Sequence, residues 1–171
     1  IGLPGVALGI THGERIVHLQ GFGAADLSGR PVTPQTPFVT GSVTKSFTAM
    51  AVMQLVEVGL LDLDDPVRRY LPWFRVADPD ASKRITLRHL LHHISGLPER
   101  ADYPAIAHPD RSDDALEEGV RDLRTVELSQ PVGGGYQYSN SGDAILGLIV
   151  ETASGQPYED YVDQHIFDPL Q

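Results

Sequence analysis

The chain has no cysteine, which excludes disulfides, iron–sulfur clusters and cysteine-ligated zinc. Lysine is almost as scarce: two of the thirteen basic residues are lysines, and the eleven arginines are scattered from Arg15 to Arg124 without a dense run. At a net charge of −10, no basic surface is concentrated enough to hold a polyanion, so nucleic-acid binding is excluded. No apolar stretch reaches the ~18 residues that a membrane span requires. Internal repeats and low-complexity tracts are absent. The chain opens at Ile1 rather than methionine and without a signal-peptide pattern, as expected of a processed protein or a part of a longer one. What is present is 171 residues, 41% hydrophobic and 21% charged, the balance of one globular domain with a real core.

Two short β-prone runs, Gly5–Ile10 and Arg15–Leu19, flank Thr11-His12-Gly13-Glu14 and predict a hairpin. Residues 21–40 are rich in Gly, Pro and Thr and predict a loop. From Ser42 to Val58 there is neither Gly nor Pro, and Phe47, Met50, Ala51, Gln54, Leu55 and Val58 form a largely apolar helical stripe ended by Gly59. Such a helix is expected to be buried in the middle of the molecule. Asp65 and Pro66 predict the cap and first position of a short helix before Pro72, and Thr86 caps another over Leu87–His93. Residues 99–111 read as a loop and Ser112–Thr125 as a charged surface helix. After the break at Gly133-Gly134-Gly135 come an apolar helix over Ala144–Ala153, closed by Gly155, and an amphipathic one over Tyr158–Phe167. Two strands make a poor sheet alone, so further strands are expected beyond these.

The chemistry concentrates in two short motifs. Ser42 and Lys45 lie three residues apart, nearly one helical turn, so both side chains share a face. A hydroxyl beside an amine is the pairing of a nucleophile and its base. With ten serines and two lysines, that spacing arises by chance about 0.1 times. The chain's single asparagine, Asn140, falls in Tyr138-Ser139-Asn140, and with six tyrosines Tyr-x-Asn arises by chance about 0.04 times. Together the two motifs are a poor fit to accident.

On these motifs the chain resembles the serine β-lactamase and penicillin-binding protein superfamily, in the branch of class C β-lactamases, D,D-carboxypeptidases and esterases. The likeness runs through "PFVTGSVTKSFTAMAVMQLVEVGLLDLDDPVRRYLP", "ITLRHLLHHISGLP", "YQYSNSGDAILGLIVETASGQPYEDYV" and "IFDPL", in family order. Ser-x-x-Lys is a known signature of class A β-lactamases and penicillin-binding proteins. The resemblance implies an α/β (α+β) fold of β-lactamase/transpeptidase type, an antiparallel sheet with an all-helical part. Residues 1–40 would belong to the sheet-bearing part and 41–171 to the mainly helical part of a partial catalytic domain. It implies Ser42 as the acylated nucleophile, Lys45 as its partner, Tyr138 as the tyrosine of the second motif and Asn140 as the substrate-binding residue. The implied activity is a serine hydrolase that forms an acyl-enzyme on an ester, a D-amino-acid amide or a β-lactam. Its partner is a small-molecule or peptide substrate, with no cofactor and no catalytic metal. The alternative is a penicillin-recognition-like sensor that acylates without turnover. The sequence itself names no compartment, and the resemblance favours an extracytoplasmic one, periplasmic or secreted.

The residues fit that chemistry. A serine at a helix start lies at the positive end of the helix dipole, where developing negative charge is favoured. Asn140 offers both a donor and an acceptor, so it can orient Lys45 and a substrate carbonyl. Lys45 and Tyr138 both remain open as the group that takes the serine's proton.

Some features depart from the family pattern. The third family motif, Lys-Thr-Gly or His-x-Gly on a later strand, has no match, and with it goes one wall of the site and a second oxyanion donor. An incomplete sheet edge is expected to invite association with another chain. His92 and Ile94 stand where threonines are usual, and Asp143 where an aromatic is usual. His89, His92 and His93 have a spacing seen at zinc sites, but no third ligand lies near in sequence, and hydrogen bonds between His93 and the adjoining loop are expected instead. Asp62, Asp64 and Asp65 read as a solvated turn.

Overall fold

A computed structural model of the chain describes residues 2–99, 112 and 114–170. The chain divides into two units, Ile1–Gly41 and Ser42–Gln171. In the first, strands β1 (Gly5–His12) and β2 (Arg15–Gly23) pair antiparallel, from Gly5 opposite Gly23 to His12 opposite Arg15. A bulge between Ile10 and Thr11 shifts the register, and a two-residue turn at Gly13-Glu14 closes the hairpin with Gly13 at φ 59°. Both strands run further than the β-prone residues alone predict. The following segment folds back over the glycine end of the hairpin, where Val32 N–H donates to the Gly23 carbonyl at 3.0 Å. A Cβ on Gly21 would stand 2.2 Å from the Val32 carbonyl oxygen, so no other residue leaves room for that crossing. Val6, Leu8 and Ile10 share one side of β1 by alternation, and Val6 pairs with Phe22; all four are partly exposed.

The second unit is helical among its described residues. The six α-helices described there are α1 (Thr44–Glu57), α2 (Pro79–Arg84), α3 (Leu87–Leu91), α4 (Ala115–Arg121), α5 (Asn140–Ser154) and α6 (Tyr158–Val162). The centre is α5, which buries Ile145, Leu146, Leu148, Ile149 and Val150 and packs against α1, α3, α4 and α6. Each fully buried side chain of that size contributes about 1.5–3 kcal/mol, so this helix anchors the unit. Gly155 ends it in the left-handed region at φ 73°.

Several boundaries move from their sequence expectation. α5 begins at Asn140, four residues before its apolar run, and this brings the Tyr-x-Asn motif to the helix start. α1 is buried along the single stripe of Thr48, Ala51, Val52 and Leu55. Met50 and Val58, expected in the buried stripe, are 45% and 68% exposed, because their i, i+4, i+8 row turns away from α5. The helix expected after Pro66 is a 3-10 turn, Val67–Arg69, and Asp65 does not cap it. Its carboxylate instead accepts from the Tyr70 hydroxyl at 2.8 Å and from Arg69 at 2.9 Å. The charged surface helix shortens to α4 with a 3-10 turn over Asp122–Thr125, and the last helix breaks after α6 into a π turn over Asp163–Phe167. The loop expected at 99–111 lies, beyond Glu99, outside the described residues. Sequence reading missed α2, although its signal is present: the Asp78 side chain accepts from Asp80 N–H at 2.8 Å, with Pro79 at the first helical position.

Candidate active site

Ser42 sits in a 3-10 turn, Gly41–Val43, two residues before the start of α1, rather than inside the helix's first turn. Its side chain is solvent-accessible, and its hydroxyl lies 2.8 Å from the Tyr138 hydroxyl. Lys45 is in the first turn of α1 and is mostly buried. Its hydrogen-bond partner is not the serine but Asn140, to whose Oδ1 the ammonium donates at 2.7 Å. The same nitrogen lies 3.9 Å from an Asp143 carboxylate oxygen and 5.1 Å from the centre of the Tyr138 ring, within cation–π range. Serine, lysine, tyrosine and asparagine therefore form one cluster, connected as two pairs. One pair is Ser42 with Tyr138, the other Lys45 with Asn140.

Tyr138 owes its place to main-chain bonds that periodicity cannot reveal. The turn after α3 and the irregular segment before α5 form a seam. In it, Ser129 N–H donates to the Gly96 carbonyl at 2.8 Å, Gly133 N–H to that of Ile94 at 2.8 Å, and Gln137 N–H to that of His93 at 2.7 Å. One residue past the tyrosine, the buried Ser139 hydroxyl donates to the Pro98 carbonyl at 3.2 Å, so it fastens the segment rather than capping α5. The capping box at the start of α3, Thr86 with His89, fixes the other side of the seam.

The histidines separate. His89 turns its Nδ1 into that capping box, and His92 is exposed. His93 takes a left-handed backbone at φ 53°, where non-glycine residues carry strain of about 1–3 kcal/mol, and lays its ring 4.8 Å from that of Tyr138. The expected bond to the adjoining loop is made by its carbonyl, not its imidazole, whose Nδ1 is buried without a partner. Burial, with the nearby Lys45 charge, lowers the His93 pKa, so the imidazole is neutral at neutral pH. Among the described residues, no group of three or more His, Asp or Glu side chains is placed to hold a metal ion.

Asp143 is the site residue that the motifs do not announce. It follows Asn140 by three positions, so both side chains rise from the same face of α5 toward Lys45. The 3.9 Å separation is an ion-pair distance, too long for a hydrogen bond, and this carboxylate oxygen is buried with no donor. Burial pushes the Asp143 pKa up to about 6, against the opposing pull of Lys45.

A family model described as Beta-lactamase matches residues 1–171. Esterase EstB of Burkholderia gladioli is 41% identical over 96% of this chain, which covers 44% of that protein. Two solved structures superpose closely. The octameric penicillin-binding protein homologue from Pyrococcus abyssi gives a TM-score of 0.82 at 34% identity, over 98% of this chain and 39% of that one. The D-amino acid amidase from Ochrobactrum anthropi SV3 gives 0.80 at 33%, over 99% of this chain and 45% of that one. The chain spans less than half the length of the curated relatives it matches.

Proposed function

This chain belongs to the beta-lactamase family, within the serine β-lactamase and penicillin-binding protein superfamily, and we propose that the full-length protein hydrolyses an ester or amide through an acyl-enzyme on Ser42. The observation that carries this reading is the 2.8 Å contact between the Ser42 and Tyr138 hydroxyls beside the Lys45–Asn140 pair. A nucleophile must be exposed and must hand its proton to a group within hydrogen-bond reach, and Tyr138 meets the second condition at 2.8 Å.

In the reaction, the Ser42 oxygen attacks the substrate carbonyl carbon while its proton passes to the Tyr138 oxygen. The Lys45 ammonium, facing the tyrosine ring, offsets negative charge on that oxygen before the transfer. The carbonyl π electrons move to the oxygen, and the positive end of α1, next to the serine, favours that charge. When the intermediate collapses, the leaving alcohol or amine takes the proton back from Tyr138. Water then attacks the acyl-enzyme by the same route and frees Ser42. Asn140 holds Lys45 through its oxygen and keeps its amide N–H groups for a substrate carbonyl. The similarity to an esterase and to a D-amino acid amidase supports ester and amide substrates. The hairpin is read as the place where further strands of the sheet pair.

The test is intact-mass measurement of the full-length protein after treatment with a fluorophosphonate, followed by peptide mapping. A single adduct on Ser42, absent in Ser42→Ala, is expected. An adduct elsewhere, or one that survives Ser42→Ala, refutes the assignment. Stable acylation by a chromogenic ester with no second turnover would make the protein a recognition domain instead of a hydrolase.

A further inference from the structure

We propose that Asp143 is a positioning residue for Lys45: its carboxylate and the Asn140 amide oxygen together hold the ammonium beside the Tyr138 ring. This rests on the reading of Ser42, Tyr138 and Lys45 given above. Three observations carry it. Asn140 and Asp143 stand three residues apart on one face of α5, opposite Lys45 on α1, and these two helices pack together. The ammonium meets the first at 2.7 Å and the second at 3.9 Å, with side-chain exposures of 21% for Lys45 and 17% for Asp143. The Asp143 oxygen that faces it is buried and has no donor, an arrangement that costs free energy and that an apolar residue at this position would not incur.

The surroundings leave Lys45 as the charge that acts on Asp143. That charge comes from α1; His93, in the turn after α3, is neutral, and neither it nor Tyr138 acts on Asp143 appreciably. Among the described residues, no charge on α4 or α6 acts on it appreciably. An ammonium has three hydrogens, and Asn140 takes one. With Asp143 ionised, the second oxygen also restrains the ammonium. With Asp143 protonated, only Asn140 restrains it.

Two consequences of opposite sign follow as pH rises. The Asp143 pKa is raised from 3.8 to about 6, so the folded protein keeps a proton there that the unfolded chain has lost. That contribution to stability is full below pH 3.8 and is lost as pH climbs through about 6. Activity moves the other way, because the cradle for Lys45 is complete only once the carboxylate has ionised. A residue with a purely structural role would not link a loss of stability to a gain of activity over the same interval.

The experiment uses the full-length protein in three forms, wild type, Asp143→Asn and Lys45→Met. First, the Asp143 carboxyl carbon is titrated by NMR, its resonance assigned as the one missing from Asp143→Asn. It is expected to titrate near pH 6 in the wild type and higher by about one unit or more in Lys45→Met, which lacks the charge that pulls it down. Second, the pH profile of kcat/KM for ester hydrolysis is compared between wild type and Asp143→Asn. The wild-type acid limb near pH 6 is expected to vanish in the variant, with kcat/KM at pH 7.5 lower by about tenfold. An Asp143 titration unmoved by Lys45→Met overturns the proposal, as does an unchanged acid limb in Asp143→Asn. Failure of the fluorophosphonate to label Ser42 would instead remove the hydrolase reading, while the NMR titration still decides whether Asp143 is coupled to Lys45.

Discussion

Gly96 lies in the seam that carries Tyr138, and replacing it with alanine tests how far the phenol's place depends on backbone packing. Two costs combine there. The residue has φ 84°, and a non-glycine residue held in that region carries about 1–3 kcal/mol of strain. A Cβ would also stand 2.2 Å from the Gln130 carbonyl oxygen, a collision with backbone that no side-chain rotation relieves. Relief requires the 129–137 segment to back away, at about 1–3 kcal/mol for an overpacked contact. Gly133→Ala is the control, because Gly133 has a nearly equal φ of 79° in the same seam but open space around a Cβ, the nearest atom being His89 Nε2 at 3.8 Å. Chemical denaturation of both variants in the full-length protein should show Gly96→Ala destabilised by about 2–6 kcal/mol and Gly133→Ala by about 1–3 kcal/mol. Turnover is the sharper measure. A shift of about 1 Å at Tyr138 would lower kcat by about 100-fold in Gly96→Ala, and the control should keep most of its rate. Equal loss of stability in the two variants, with turnover unchanged in Gly96→Ala, would refute the view that this seam positions the tyrosine.

Other outcomes follow from the same geometry. Tyr138→Phe keeps the ring against His93 but removes the oxygen 2.8 Å from Ser42, so kcat/KM should fall by about 100- to 10,000-fold with the unfolding midpoint little changed. A wild-type rate in that variant, measured with a chromogenic ester, would move the proton to another group. The histidines of the 89–93 stretch serve a helix cap, solvent and the tyrosine ring, so ester hydrolysis should be indifferent to a chelator. Rate lost to chelator and restored by zinc would reopen a metal role for them.

What the sequence made legible is what local geometry dictates. Ser42 and Lys45 are recognisable as partners because a helical turn brings positions three apart to one face, and Asn140 stands out as the one asparagine in the chain. Spacing shows that Lys45 is near Ser42, but the choice of hydrogen-bond partner is tertiary, and α5 supplies the Asn140 oxygen that the ammonium takes. Asp143 registered only as an unusual residue where an aromatic is common. Its burial and its approach to Lys45 depend on how α1 and α5 pack, which no local pattern encodes. The seam through Gly96, Ile94 and His93 was likewise hidden, because main-chain pairing between irregular segments has no periodicity to detect. Met50 and Val58, expected in the buried stripe, are exposed for a related reason, since composition reports that a helix is apolar but not which side finds a neighbour.

The seam has a consequence for how such a site can change over generations. Its three bonds run from main chain to main chain, so they are indifferent to most side chains between Ser129 and Gln137. Within that stretch Tyr136 is exposed, and Gln130 is tied to it only through a 3.3 Å bond to its carbonyl. Side chains there can be exchanged without releasing the phenol two residues away from Tyr136. The rim is thereby free to drift in sequence, while the place of Tyr138 stays locked to the backbone beneath it.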